Sequence, residues 1–378
     1  MRVLIDYRPA LRNRTGVGEY THQLVKALLG SHPPSSADGV ELTAFSSSWK
    51  DRLDTREIRA AQTIDRRVPV SVLNFAWHRL EWPPIEMMTG RDYDVTHSLH
   101  PLLLPSRCAA QVVTIHDLHF LAHPERTRAE IRRDYPALVR EHAHRAARIV
   151  VPSRFTAGEV ERQLGVPAER IAVCPPGAPA WTPRAIPPPD GYILFFSTIE
   201  PRKNVGGLLD AYERLIASGR QAPELVLAGR ASDEAGPWLE RLTHPPLAGR
   251  VRHIGYVDPS NRLELYSGAR LLVMPSFDEG FGIPVLEAMT LGVPVVASNR
   301  GALPEVLGDA GPLVDPDEPA EMAGAIARLL EDNSYASACA AKGVLRAQQF
   351  NWTRTARLVH DAYRQAIDDR RDAGSRTR

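Results

Sequence analysis

Phe277-Asp278-Glu279-Gly280-Phe281-Gly282-Ile283-Pro284-Val285-Leu286-Glu287 is the stretch from which the fold is read. The run Leu271-Leu272-Val273-Met274 before it is apolar and Pro275 ends it, which predicts a short buried strand. Pro284 suits the first turn of a helix, where a missing N–H costs nothing. Gly280 and Gly282 let the backbone approach a ligand with no Cβ in the way. A strand, a glycine loop and a helix N-terminus together offer N–H groups that can hold an anion. Glu279 sits in the loop and Glu287 about one turn inside the helix, and carboxylates accept hydrogen bonds from hydroxyls. Phosphate donors beside hydroxyl acceptors fit a nucleotide sugar. Acidic residues in a first turn also serve simply to complement the helix dipole, so a second stretch has to decide.

That stretch is Ser197-Thr198-Ile199-Glu200-Pro201-Arg202-Lys203-Asn204. Tyr192–Phe196 reads as a strand, and Leu208, Leu209, Tyr212, Leu215 and Ile216 recur at helical spacing after it. Asn204 suits a helix cap. Arg202 and Lys203 therefore lie between a strand's C-terminal end and a helix, where open α/β sheets bind ligands. Arg forks onto phosphate oxygens, and Lys acts as a compact point charge.

With both stretches in view, the chain resembles the retaining glycosyltransferases of family 4, from Met1 to about Asp368. Glu279 and Glu287, with seven residues between them, carry the resemblance. Thr198–Asn204 is similar to the diphosphate-binding loop of that family, in the version of bacterial mannosyltransferases. Gly16-Val17-Gly18-Glu19-Tyr20, Thr114-Ile115-His116-Asp117-Leu118 and Val151-Pro152-Ser153-Arg154-Phe155-Thr156 match further stretches. The resemblance implies an α/β GT-B fold, two doubly wound Rossmann-like domains facing across a cleft. It also implies an enzyme that works without a metal or other cofactor.

Composition agrees with a soluble globular protein: 378 residues, 43% hydrophobic and 24% charged. Lys plus Arg is 46 and Asp plus Glu is 45, so net charge gives no general pull toward nucleic acid. Three scattered cysteines fit buried thiols in a reducing compartment. No signal peptide or membrane span is expected. The expected location is cytoplasmic, with peripheral contact at the inner membrane face as an accompaniment.

Strands and helices alternate along the chain, which predicts parallel sheets. Residues 1–175 are expected as an acceptor-side domain and 191–351 as a nucleotide-sugar domain. The proline-rich stretch 176–190 should be a stiff linker. Helix 352–368 should cross back onto the first domain, and the tail Asp368–Arg378 should be disordered. One helix is expected over Phe75–Met88 and one long or jointed helix over Glu125–Ala147, around Pro136.

Other candidates lie in the first half. Gly16 and Gly18 lack a third glycine, so no dinucleotide site is expected, and their N–H groups are expected near the donor's phosphates or the acceptor. Arg8, Arg12 and Arg14 in the same loop would hold an anionic acceptor or remain solvated. His116 follows a buried strand, and the resemblance implies contact with the transferring sugar or acceptor, with Asp117 orienting it or acting as base. His116, His119 and His123 do not form a convincing metal site, because Pro124 interrupts any shared helix face. Phe75, Trp77, Leu80 and Trp82 are expected to pack inward rather than to form a membrane patch.

The expected reaction is transfer of a hexose, mannose in the first instance, from a nucleotide diphosphate to a hydroxyl of a glycan or polyprenyl-linked saccharide. Arg202, Lys203 and the N–H groups of Gly280, Phe281 and Gly282 would stabilise the leaving diphosphate. Glu279 would hold the sugar and Glu287 the ribose. GDP-mannose leads; UDP-glucose, UDP-galactose and dTDP-rhamnose stay open. An epimerase would need the missing dinucleotide fingerprint, and a pyridoxal-phosphate phosphorylase would have to use Lys203 or Lys342. A non-catalytic binding protein of this fold would be expected to lose the Arg202–Lys203 pair or one of the two glutamates, and all four are present.

Overall fold

The computed structural model describes residues 1–11, 14, 16–36, 38–122 and 129–376. They form two compact units, Met1–Gly177 with Trp352–Arg378, and Ala178–Asn351.

The first unit holds seven parallel strands: β1 (Arg2–Asp6), β2 (Glu41–Ser47), β3 (Gln62–Arg66), β4 (Val95–Ser98), β5 (Ala110–Thr114), β6 (Arg148–Val151) and β7 (Ile171–Val173). Their order is β3-β2-β1-β4-β5-β6-β7. The helices are α1 (Val17–Ser31), α2 (Val70–Arg79), α3 (Ile85–Thr89), α4 (His119–Ala122), α5 (Ala129–Arg145) and α6 (Arg154–Leu164). Ser153 caps α6, its side chain accepting the Thr156 N–H. The C-terminal helix, Trp352–Arg376, places Ala356, Val359, Ala362 and Tyr363 in one core with Ile5, Leu24 and Leu28.

Several expectations change here. The segment Phe75–Met88 is two helices, because Pro83 and Pro84 lie between α2 and α3. Only Leu73 and Trp77 of α2 are buried, while Phe75, Leu80 and Trp82 are 63%, 63% and 57% exposed. Residues 368–376 are helical rather than disordered, tied down by the Arg148–Asp369 ion pair and by Arg370 on the carbonyls of Arg107 and Ala109. α5 runs through Pro136 as one helix, and residues 125–128 of its expected start lie outside the described residues. Cys174 and Cys339 are buried but Cys108 is exposed.

The second unit repeats the design with β8 (Tyr192–Phe196), β9 (Leu225–Ala228), β10 (Val251–Gly255), β11 (Ala269–Met274), β12 (Val295–Ser298) and β13 (Leu313–Val314), all parallel. Their order is β10-β9-β8-β11-β12-β13. Its helices are α7 (Val205–Ala217), α8 (Gly236–Arg241), α9 (Arg262–Ser267), α10 (Ile283–Thr290), α11 (Leu303–Leu307), α12 (Pro319–Glu331) and α13 (Asn333–Ala347). Alternate residues of each central strand feed opposite faces. Ile193, Phe195, Leu271 and Val273 join the core under α7 and α12, whereas Leu194, Leu272 and Met274 join the core with Leu286 and Met289 of α10. Burial on both faces is why these strands read as unbroken apolar runs. From Ala178 onward the proline-rich stretch packs on this unit. Ala178 and Arg184 donate N–H bonds to Phe350 (2.9 Å) and Leu291 (3.1 Å), and the Arg184 guanidinium reaches the carbonyls of Ser267 and Ala269.

Candidate functional site

In the second unit the strand order reverses between β8 and β11, the position at which open parallel sheets form a crevice at their carboxyl ends. The two stretches singled out in the sequence leave these two neighbouring strands. Their backbones meet, Phe277 N–H donating to the Arg202 carbonyl at 2.9 Å. Their side chains meet as well. Lys203 Nζ lies 2.6 Å from Glu279 Oε1, which also accepts the Ser276 hydroxyl at 2.9 Å. Arg202 lies 3.9 Å from Glu279 Oε2 and 2.9 Å from Glu200 Oε1, and donates to the Asp278 carbonyl at 3.3 Å.

Lys203 and Glu279 are 6% and 8% exposed, so this is a buried ion pair. Burial pushes the Glu279 carboxyl up, but the charges of Lys203 and Arg202 and the bonds from Lys203 and Ser276 outweigh it and hold it below its ordinary 4.5. The carboxylate is therefore ionised at neutral pH.

Local conformation puts these groups in place. Pro201–Lys203 form a tight turn that ends at Asn204, whose φ of 54° is left-handed. Asn tolerates that region better than most residues. Its Oδ1 accepts the Gly207 N–H at 3.1 Å, capping α7, and its Nδ2 donates to the Pro316 carbonyl at 2.7 Å. Gly282 starts α10 with φ 105°, and a Cβ there would stand 2.6 Å from Leu303. Leu286 and its neighbours then anchor the helix in the core.

Glu287 lies on α10 in a different environment from Glu279. It is 5% exposed, with Oε1 accepting from Arg262 at 3.1 Å and Oε2 from the Tyr266 hydroxyl at 2.7 Å. The Arg202–Lys203 turn and the Glu279 loop are thus one cluster, and Glu287 is tied to α9 beside it.

Residues 14–180 match the model described as Glycosyltransferase Family 4, and 190–332 match Glycosyl transferases group 1. An O-antigen chain mannosyltransferase B of Escherichia coli is 31% identical over 96% of this chain and 100% of its own length. The chain belongs to glycosyltransferase family 4. Among solved structures, sucrose-phosphate synthase from Thermosynechococcus elongatus aligns with TM-score 0.78 and 21% identity, over 97% of this chain and 99% of that one. Anabaena HepE in complex with UDP and glucose aligns with TM-score 0.67 and 18% identity, over 95% and 98%. These likenesses agree with the two parallel sheets in giving a GT-B fold of two Rossmann-like units.

The remaining expected residues of this family 4 glycosyltransferase belong to the first unit. Gly16 precedes α1 with φ 48°, and a Cβ on Gly18 would stand 2.6 Å from the Pro9 carbonyl, so Gly18 answers a packing need. Arg8 is 2.7 Å from Asp6 and 2.9 Å from Asn74, and lies over the Trp77 ring at 4.8 Å. It is held inside the fold rather than solvated. Arg14 pairs with Glu57 at 3.3 Å; Arg12 and His123 lie outside the described residues. His116 Nε2 donates to the Leu99 carbonyl at 3.3 Å, and its ring meets Tyr20 of α1 edge-on at 5.0 Å. Burial pushes it down to about 4, so it is neutral at neutral pH. Asp117 Oδ1 accepts the His119 N–H at 3.3 Å. Among the described residues, no three His, Cys, Asp or Glu side chains are placed to hold a metal ion.

Sequence reading missed several supports of this enzyme's site. Gly301 brings the turn after β12 against Glu279, where a Cβ would be 2.7 Å from the Glu279 nitrogen, and Ala302 N–H donates to the Glu279 carbonyl at 2.9 Å. Arg262 and Tyr266 were missed too. Their only signal is long-range, since they meet Glu287 from 25 and 21 residues away.

Proposed function

We propose that this enzyme transfers mannose from GDP-mannose, with retention of anomeric configuration, to a hydroxyl of a glycan or polyprenyl-linked saccharide. The observation that carries this reading is the Arg202–Lys203–Glu279 junction at the strand-order reversal. The donor's diphosphate would take up Arg202, Lys203 and the N–H groups of Gly280, Phe281 and Gly282 at the α10 start. Glu279 would then hold sugar hydroxyls, and Glu287 those of the ribose. The mannosyltransferase of E. coli supports mannose as the sugar. UDP-glucose, UDP-galactose and dTDP-rhamnose are the competing donors.

The difficult step is departure of the diphosphate as positive charge builds at the anomeric carbon. Two cations and a helix N-terminus oppose the charge that develops on the leaving group, and the reading assigns no metal or other cofactor to that task. The departing phosphate takes the acceptor's proton on the same face. The N–H groups of Gly16, which precedes α1, and of Gly18, in its first turn, would serve the donor phosphates. His116, being neutral, contributes a hydrogen bond to sugar or acceptor rather than a charge, with Asp117 beside it. Thermal-shift measurements with GDP, UDP and dTDP, followed by donor hydrolysis assays, test the reading. Stabilisation by GDP and slow release of mannose from GDP-mannose are expected. Hydrolysis of another nucleotide sugar alone would replace the donor, and no response to any nucleotide would refute the site.

The exposed Phe75, Leu80 and Trp82 beside Arg79 support peripheral contact with an anionic lipid surface on the cytoplasmic side. Among the described residues no helix is long and apolar enough to cross a membrane. Flotation with phosphatidylglycerol vesicles should carry the wild type and release a Phe75→Ser/Leu80→Ser/Trp82→Ser variant. Equal flotation of both would remove this part of the reading.

A further inference from the structure

Arg262 and Tyr266 lie on α9, and neither belongs to the two motifs that led to the site. Arg262 is 5% exposed and Tyr266 fully buried, an unusual depth for a guanidinium. Both converge on Glu287, one on each carboxylate oxygen, at 3.1 Å and 2.7 Å. Both are themselves braced from the end of β8. The Arg262 guanidinium stands 5.7 Å from the Phe196 ring centre, and Tyr266 meets Phe196 and Trp181 at 5.8 Å each. Glu287 is therefore a charge fixed in position by two donors whose own rotamers are fixed by aromatic packing.

We propose that Arg262 and Tyr266 are positioning residues that set Glu287 for the ribose of the donor, and so decide whether the enzyme distinguishes ribonucleotides from deoxyribonucleotides. This rests on the ribose role assigned to Glu287 above. A vicinal diol presents two hydroxyl donors a fixed distance apart, and a carboxylate accepts both only if its plane is set for them. An ionised carboxylate has about four acceptor sites, and Arg262 and Tyr266 approach it on different oxygens. Arg262 is the buried carboxylate's ion-pair partner and fixes its Oε1. Tyr266, a donor through its hydroxyl, fixes Oε2 and thereby the rotation of the plane. The sugar of dTDP lacks the 2′-hydroxyl, so a site set in this way disfavours dTDP-linked donors.

The test is calorimetric binding to the full chain of GDP and 2′-deoxy-GDP, with UDP and 2′-deoxy-UDP in parallel and the tighter pair used. Inorganic pyrophosphate serves as a control for the phosphate subsite. The wild type should favour the ribonucleotide by roughly 10- to 100-fold, the range for hydrogen bonds to a charged group. Tyr266→Phe and Arg262→Lys should bring that ratio down at least about fivefold, with pyrophosphate affinity unchanged within about twofold. In Tyr266→Phe/Glu287→Gln the ratio should be no lower than in Glu287→Gln, because the two act as one unit. A clamp that merely ties α9 to α10 would lower the melting temperature and leave the ratio alone; that result overturns the proposal. A wild type without ribose preference overturns the ribose role of Glu287 and the clamp with it. Should Arg262→Lys fail to fold, Tyr266→Phe, which keeps the ring, decides the matter alone.

Discussion

The two units share a scaffold and differ in what they bury at the carboxyl edges of their sheets. In the second, the edge carries opposite charges in contact, Lys203 on Glu279 and Arg262 on Glu287. In the first, the strand-order reversal between β1 and β4 carries one such group, Asp6 with Arg8 and His100, and beside it stand neutral imidazoles. His97 is fully buried between the hydroxyls of Tyr363 (2.7 Å) and Thr114 (2.8 Å), and His116 sits against Leu99 and Tyr20. One edge is therefore built from two buried ion pairs, the other from one ion pair beside imidazoles that burial keeps neutral. Parallel sheets make both edges alike in geometry, and the chemistry is decided by a few side chains at those edges.

The largest test of this contrast is Lys203→Ala. Loss of a donor to the leaving group should cost ~3–4 kcal/mol of barrier, about 100- to 1,000-fold in kcat. The variant should also lose ~3–5 kcal/mol of stability, since Glu279 is left charged and buried. Lys203→Met/Glu279→Gln should recover stability in denaturant melts without recovering turnover. A Lys203→Ala protein as stable as the wild type would show that the ion pair does not hold this edge together.

Acid should sharpen the difference. Burial lowers His97 to about 3 and His116 to about 4 from the ordinary 6.5. Between those values the unfolded chain binds the protons that the folded one refuses, so stability falls as pH drops below about 6.5, by up to ~1.4 kcal/mol per pH unit for each group. Glu279, held below 4.5, loses its contribution only as pH falls below that value. Hydrogen-exchange protection, taken relative to the intrinsic rate at each pH, should therefore fall first in β4, β5 and the C-terminal helix between pH 7 and pH 5, with β8 and β11 still protected. Simultaneous loosening of both sheets would contradict the contrast.

Smaller effects are expected at the supports. Asn204→Ala should cost about 1–2 kcal/mol through the lost cap, and Asn204→Gly less, because glycine accepts the left-handed conformation. Phe75→Ser or Trp82→Ser should change stability by no more than about 0.5 kcal/mol. Trp77→Ala on the inner side of the same segment should cost about 3–5 kcal/mol. Equal costs on both sides, in the same melts, would mean that the outer residues are packed.

The sequence made the second unit's site legible because its signals are local. A strand, a short loop with Arg202 and Lys203, and a helix cap at Asn204 all lie within a dozen or so positions. The same held for most strands, whose apolar runs reflect burial on both faces. Where the signal was not local, it failed. β3 reads Gln62-Thr63-Ile64-Asp65-Arg66, a half-exposed edge strand without an apolar run. Gly301 and the α9 clamp reach the glutamates from distant positions, and nothing in their neighbours' identity announces it. Phe75 and Trp82 misled for the opposite reason. Their spacing resembles a packed face, but Phe75 lies within α2 on the side away from Leu73 and Trp77, and Trp82 follows the helix end, so both stay outside.

Titration calorimetry of GDP into the wild type and into Arg202→Ala/Lys203→Met/Glu279→Gln asks most directly whether the β8 and β11 loops form one nucleotide site. Saturable binding to the wild type and at least about a 100-fold loss in the variant are expected, with the variant's melt still cooperative. Undiminished GDP affinity in the variant would contradict it.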